Sequence, residues 1–237
     1  VYGGIIMKFK KQLLSTLLCC TMVFTVACSN NKQTSSDSSQ KQEETKSPDQ
    51  VGDVSLNNPI KVDKEAGTVT VLSSVNGKYF NEATRHASVF KDGTNGTKSI
   101  LTSYATPEDF YNGLIEIGAK AGENMTPDNK TTTHVEGDSI KVEVTWNGAD
   151  KSYDINDVIK DSNGKKIDIK FGGNLERAKK MNTGCLTCLD SCPVGIISNA
   201  TYTYGAVEKT GEVKFTGNAD ILPEDGTYVA VTYSIAK

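Results

Sequence analysis

From residue 59 onward, apolar and polar residues alternate in short runs, the period-two pattern of half-buried strands. Pro59-Ile60-Lys61-Val62 and Gly67-Thr68-Val69-Thr70-Val71-Leu72-Ser73 predict a hairpin, with Glu65-Ala66-Gly67 as its turn. Gly77–Phe80 extends that pattern. Ala87–Phe90 and Ser99–Leu101 predict two more strands around a polar loop at 92–98. Further on, Ile140, Val142, Val144 and Trp146 alternate with Lys141, Glu143 and Thr145. Asn147-Gly148 then supplies a two-residue hairpin turn that leads back through Tyr153 and Ile155. Lys166–Phe171, Val213–Phe215 and Thr227–Tyr233 predict the remaining strands. Val158 and Ile159 sit in a short helical turn, and Leu175–Lys180 makes two helical turns.

One stretch changes period. Thr106 is placed to cap orphan amides, Pro107 fits the first helical position, and Glu108 and Asp109 suit the positive end of the helix dipole. Phe110, Leu114 and Ile117 follow at i, i+4 and i+7 with Tyr111 and Ile115 beside them, and Gly118 and Gly122 close the helix, which spans about 106–120. The stripe reads as core. The pattern gives an α+β domain of mainly antiparallel strands, with this one well-capped helix and a cysteine-bearing loop.

The first fifty residues follow another logic. Lys8, Lys10 and Lys11 precede an uncharged run from Leu13 to Ala27, shorter than the ~20 residues a membrane-spanning helix needs. Val26-Ala27-Cys28 closes that run and resembles the lipobox of bacterial lipoproteins, with Thr25 where leucine is usual. Residues 7–27 therefore read as a signal peptide, Cys28 as the lipidated residue, and polar residues 28–53 as a disordered tether to a domain at 54–237. Residues 1–6 read as untranslated sequence ahead of a start at Met7, since Gly3-Gly4 is what a purine-rich ribosome-binding site encodes. The expected location is the extracytoplasmic face of the cell membrane.

Charge narrows the partners. Without the leader, 23 basic residues stand against 29 acidic, a balance of −6, which argues against nucleic acid and anionic lipid. Contact with the membrane falls to the lipid on Cys28, and a redox or cell-envelope protein is the expected partner.

Cys19 and Cys20 leave with the signal peptide, so the remaining thiols are Cys185, Cys188 and Cys192, in Cys-x2-Cys-x3-Cys-Pro. The run resembles the ferredoxin motif without its first cysteine, where Asn182 now stands. A [4Fe–4S] cluster needs four ligands, and Asn182, His86, His134 or a carboxylate such as Asp190 are the candidates for the fourth. Gly184 and Gly195 would admit backbone amides to the sulfides, and Pro193 turns the chain away. Export argues the other way: clusters are assembled in the cytoplasm, and no twin-arginine pair accompanies Lys8–Lys11. Cys185-x2-Cys188 also has the spacing of thiol–disulfide oxidoreductases, without their βαβ context. Zinc would need a fourth ligand too, and a disulfide between two of the cysteines would staple a loop and leave the third free. These readings stay open. His86 lies beside Arg85 at a strand edge, where a hydrogen-bonded structural role competes with ligation, and His134 lies in a polar loop. No Ser-His-Asp grouping, phosphate-binding glycine loop or HExxH is present, so nothing marks the chain as an enzyme.

Gly77-Lys78-Tyr79-Phe80, Arg85-His86-Ala87, Lys98-Ser99, the capped helix and Gly118-Ala119-Lys120-Ala121-Gly122 resemble the YdjY domain over roughly residues 60–235. The resemblance implies an extracytoplasmic domain without an established activity, and members from anaerobic firmicutes are similar in carrying a ferredoxin-like cysteine run late in the domain. Two functions are expected: a redox module passing electrons through Cys185, Cys188 and Cys192, or a non-catalytic binding lipoprotein stapled by its cysteines.

Overall fold

The computed structural model describes residues 49–237; the expected signal peptide, Cys28 and most of the expected tether lie outside the described residues. The elements in chain order are β1 (Ile60–Asp63), β2 (Thr68–Val75), β3 (His86–Phe90), β4 (Leu101–Ser103), α1 (Pro107–Glu116) and β5 (Ile140–Trp146). They continue with β6 (Tyr153–Asp154), α2 (Ile155–Val158), β7 (Ile159–Asp161), β8 (Ile169–Phe171) and α3 (Leu175–Met181). β9 (Cys185–Cys188), β10 (Ile197–Asn199), β11 (Phe215–Gly217) and β12 (Tyr228–Ile235) complete the chain.

The fold is α+β and rich in strands. The main sheet runs β6-β5-β12-β2-β4-β3-β9-β10-β8, with β1 also on β2, and β7 and β11 form a separate ladder. The sheet is mixed: β3 pairs β4 in parallel and β10 pairs β9 in parallel, while the remaining ladders are antiparallel. It curls back on itself, since Lys170 of β8 bridges Ser139 beside β5 and Phe171 N donates to Asp138 O at 2.9 Å.

Alternation places the core. Val69 and Val71 of β2 join Val229, Val231 and Tyr233 of β12 on one face, where Phe110 and Leu114 of α1 cover them. Gly113 makes this close approach possible, because a Cβ there would stand 3.1 Å from both Val62 and Val69. Leu72 and Ala230 point to the opposite face, covered by Val51 and Val54. Ordered structure thus reaches upstream of residue 54, because Val51, the one sizeable apolar residue of the polar stretch, is buried there.

Several local expectations differ. Gly77–Phe80 forms a 3-10 turn, not a strand, because Gly77 N donates to Asp225 and Tyr79 N to Asn76 O in place of a ladder. Thr106 caps α1 by accepting from Asp109 N at 3.1 Å, but the helix ends at Glu116, ahead of Gly118 with φ +89°, and Ile115 is exposed. The short helical turns expected at Val158 and at Leu175–Lys180 form as α2 and α3, while Ile159 begins β7. The first two cysteines lie on a strand, β9, instead of in a loop.

Candidate functional site

β9 is the antiparallel neighbour of β3, and the pairing is irregular. His86 faces Cys188, Ser88 faces Thr187 and Val89 faces Cys185, with a register shift at each step. In a regular strand Cys185 and Cys188, three residues apart, would point to opposite faces. The shifts rotate the strand so that both sulfurs gather with the imidazole of His86, and the ligand atoms of the three residues all lie within 4.8 Å of one another. His86 Nδ1 stands 3.6 Å from Cys185 Sγ. All three residues are buried, and this group could hold a metal ion.

Cys192 lies on the far side of Cys188. The turn that carries it is tight: Gly195 N donates to Cys192 Sγ at 3.4 Å, and a Cβ on Gly195 would come within 2.7 Å of Cys188 Sγ. All three cysteines are free thiols in this structure. Side chains hold the loop in its place. Asn174, at the start of α3 with φ +59°, donates from Nδ2 to the carbonyls of Cys192 and Gly195 at 3.2 and 3.0 Å. Arg177 donates from Nε to Pro193 O at 2.6 Å and from its terminal nitrogen to Met125 O at 2.6 Å. Asn199 donates to Leu189 O at 3.1 Å. On the other flank Phe90 N donates to Gly184 O at 2.7 Å and Asn95 N to Thr183 O at 3.2 Å, where Gly93 and Gly184 meet backbone to backbone.

The Arg85–Asp190 ion pair lies beneath, its side chains 7% and 0% exposed. Arg85 Nε donates to Asp190 Oδ1 at 3.2 Å, a second guanidinium nitrogen donates to the same oxygen, Gly205 N donates to Oδ2 at 2.8 Å, and the guanidinium stacks 4.2 Å from the ring centre of Tyr204. Burial pushes the Asp190 carboxyl up against the pull of Arg85 and the Gly205 amide.

The three thiols are not alike. Cys188 is held well above the ordinary thiol range, because its proton serves as a hydrogen bond to Cys185 and to Cys192 and because it is buried. Cys185 is held well below it by the hydrogen bond from Cys188, against burial, with help from His86 and Thr183. Cys192 is lowered to about 7, by Cys188 first and, against burial, by the charge of Arg85. A shared proton on the middle sulfur thus leaves nucleophilic, ligand-ready thiolates on both sides.

The other expected residues lie elsewhere. Asn182 caps the C-terminus of α3 with φ +46°, its side chain exposed and without a hydrogen bond to the sulfurs. His134 is exposed, with Nδ1 2.6 Å from Ala200 O. Asp190 is committed to Arg85 and Gly205. Local sequence pattern does not mark Asn95, Asn174 or Arg177 as site residues, and it marks Arg85 only as a neighbour of His86. The one signal for the two arginines is rarity, since Arg85 and Arg177 are the only arginines in the chain.

The family model of the YdjY domain matches residues 60–234. The chain is also similar to the uncharacterized protein YdjY of Escherichia coli (strain K12), 55% identical over 196 residues, covering 83% of this chain and 87% of that protein. No solved structure matches the chain.

Proposed function

The chain belongs to the YdjY family, and we propose that its working centre is a soft-metal site of His86, Cys185 and Cys188, held at the outer face of the membrane by a lipid on Cys28. The observation that carries this reading is the distance set. A tetrahedral ion bound at about 2.3 Å by sulfur and about 2.0 Å by imidazole nitrogen sets those two atoms about 3.5 Å apart. His86 Nδ1 and Cys185 Sγ are separated by 3.6 Å. The donors suit zinc, copper(I) or iron(II). Bound there, copper or iron would supply one-electron chemistry, and zinc would supply a fixed positive charge. The chain's own contribution is to orient Nδ1 and two sulfurs, to keep Cys192 beside them, and to exclude water by burying all four side chains.

A [4Fe–4S] cluster remains the alternative filling. A cubane puts each thiolate on a separate corner, pointing outward, so its sulfurs stand further apart than around one ion. Cys185 and Cys188 within 4.8 Å of each other favour the single ion. The opposite pKa directions of the neighbouring thiols support a second reading, a redox dithiol. In it the Cys185 thiolate attacks a partner disulfide, Cys188 then displaces the partner's second thiolate, and two electrons pass to the partner as Cys185–Cys188 closes.

The test is isolation of the full chain from membranes under anaerobic conditions, followed by metal analysis and thiol counting. The proposal expects equimolar transition metal that is lost in Cys185→Ser, and transfer of Cys28→Ser to the soluble fraction. Metal-free protein whose thiols interconvert with a disulfide would favour the dithiol reading, and membrane-independent protein with Cys28 intact would overturn the anchor.

A further inference from the structure

A cavity of about 370 Å³ opens directly above the sulfurs, with Cys185, Cys192 and His86 at its floor. Its volume is that of a small-molecule site. Its walls run against the charge of the rest of the molecule. Arg85, Lys98, Lys130 and Arg177 line it, opposed by one lining carboxylate, Glu208, in a chain whose acids outnumber its bases. Both arginines of the protein are spent here.

Three of the four cations have no carboxylate partner, and the Cys185 and Cys192 thiolates at the floor offset part of their charge. Arg85 is neutralised by Asp190, but Arg177 donates only to the carbonyls of Pro193 and Met125 and to the side chain of Asn174. Lys98 donates to Asn95 Oδ1 at 3.0 Å, and Lys130 rests 5.0 Å from the ring centre of Tyr204. None of these three is in an ion pair among the described residues. Thr183 also lines the cavity, and its buried hydroxyl has no partner other than the Cys185 sulfur. Lone cations converging on one low-dielectric cleft concentrate anions there. An open cationic mouth repels a bare metal cation, so it is not explained by loading of the centre below.

We propose that this cavity binds a small carboxylate or oxyanion and presents it to Cys185 and Cys192. Lys98, Lys130 and Arg177 supply the charge. The role given to the bound anion rests on the cysteines being the working centre; its binding does not.

The test titrates the full chain, metal-free and reduced, with sulfate and separately with malonate at constant ionic strength, following backbone amide shifts. Saturable shifts at Thr183 and Tyr204 are expected with at least one of the two. The affinity should fall severalfold in Lys98→Gln/Lys130→Gln and stay unchanged in Lys151→Gln, on the far edge of the sheet. Absent or non-saturating shifts with both anions, or binding indifferent to the double substitution, would overturn the proposal. Presentation to sulfur is scored by alkylation of the same protein: iodoacetate should outpace neutral iodoacetamide at Cys185 by more than it does at free cysteine. An equal preference would overturn that part. Because no metal is present, these results stand apart from the metal analysis, and either reading can fail alone.

Discussion

The two ends of the curled sheet are built by different means. At the β5–β12–β2 end the ladders are long and regular, with β12 facing β2 from Tyr228↔Ser74 to Ser234↔Thr68 and facing β5 from Val229↔Trp146 to Ile235↔Ile140. At the β3–β9–β10–β8 end the strands are short, the register slips at each step between β3 and β9, and two of the pairings at that end are parallel. There the backbone is held by side chains: Asn174 and Arg177 under the Cys192–Gly195 turn, Asn199 on Leu189, and Asp190 on Gly205. The regular end supplies shape through apolar burial. The irregular end gives up that regularity to aim two sulfurs and an imidazole at one point, with Cys192 beside them, and it depends on polar partners that have no substitutes.

Loss of those partners should therefore cost most. Asp190→Ala leaves the Arg85 guanidinium buried and unpaired, and is expected to destabilise the fold by about 3–5 kcal/mol in urea denaturation. Replacing both residues by apolar ones of similar size should cost less than the single change. At the regular end Thr232→Ala, which removes a 3.1 Å hydroxyl contact with Thr70, should cost under ~1 kcal/mol. Equal costs would erase the contrast.

The next effect is on pH dependence. In the folded, metal-free, reduced chain Cys192 is ionised above about 7, and Cys185 is likewise held well below the ordinary thiol range. In the unfolded chain both keep their protons until about 8.5. The unfolded state therefore binds more protons between about 7 and 8.5, and stability should rise with pH across that window, by roughly 2 kcal/mol from Cys192. Below the window this contribution is lost as the folded thiolates protonate. Above it Cys188 acts in reverse, since it stays protonated in the fold while its unfolded counterpart ionises. Denaturation midpoints at a series of pH values check this, and Cys192→Ser should flatten the rise.

Gly195→Ala comes third. Its Cβ would meet Cys188 Sγ at 2.7 Å, so the turn must shift, at an expected cost of about 1–3 kcal/mol, with weakened metal binding. The smallest effect belongs to the regular end. Tyr233 is fully buried, its hydroxyl makes at most poor contacts with Thr187 and Ser88, and burial pushes it up to about 12, so Tyr233→Phe should change stability by less than ~1 kcal/mol in either direction.

The same contrast decides what could be read in the sequence. Alternation marks β1, β2, β5 and β12 because every second side chain packs toward the main core, and Thr106-Pro107 marks the start of α1 because capping is local chemistry. Elsewhere local pattern misleads. Gly77–Phe80 looks extended but turns on the side chain of Asp225, 148 residues away. Cysteine spacing resembles a loop motif, yet Cys185–Cys188 is a strand because β3 and β10 supply its hydrogen bonds. The ferredoxin comparison directs attention to Asn182, three residues before Cys185, whereas the imidazole beside that sulfur comes from His86, 99 residues away. Spacing along a chain cannot reveal a neighbour delivered by a register shift.

Cobalt(II) titration of the metal-free, reduced chain under anaerobic conditions tests the central claim most directly. The account predicts equimolar binding with intense thiolate-to-cobalt charge-transfer bands and a tetrahedral visible spectrum, abolished in Cys185→Ser and Cys188→Ser and shifted in His86→Gln. Absence of thiolate bands, or a spectrum indifferent to Cys185→Ser, would contradict it.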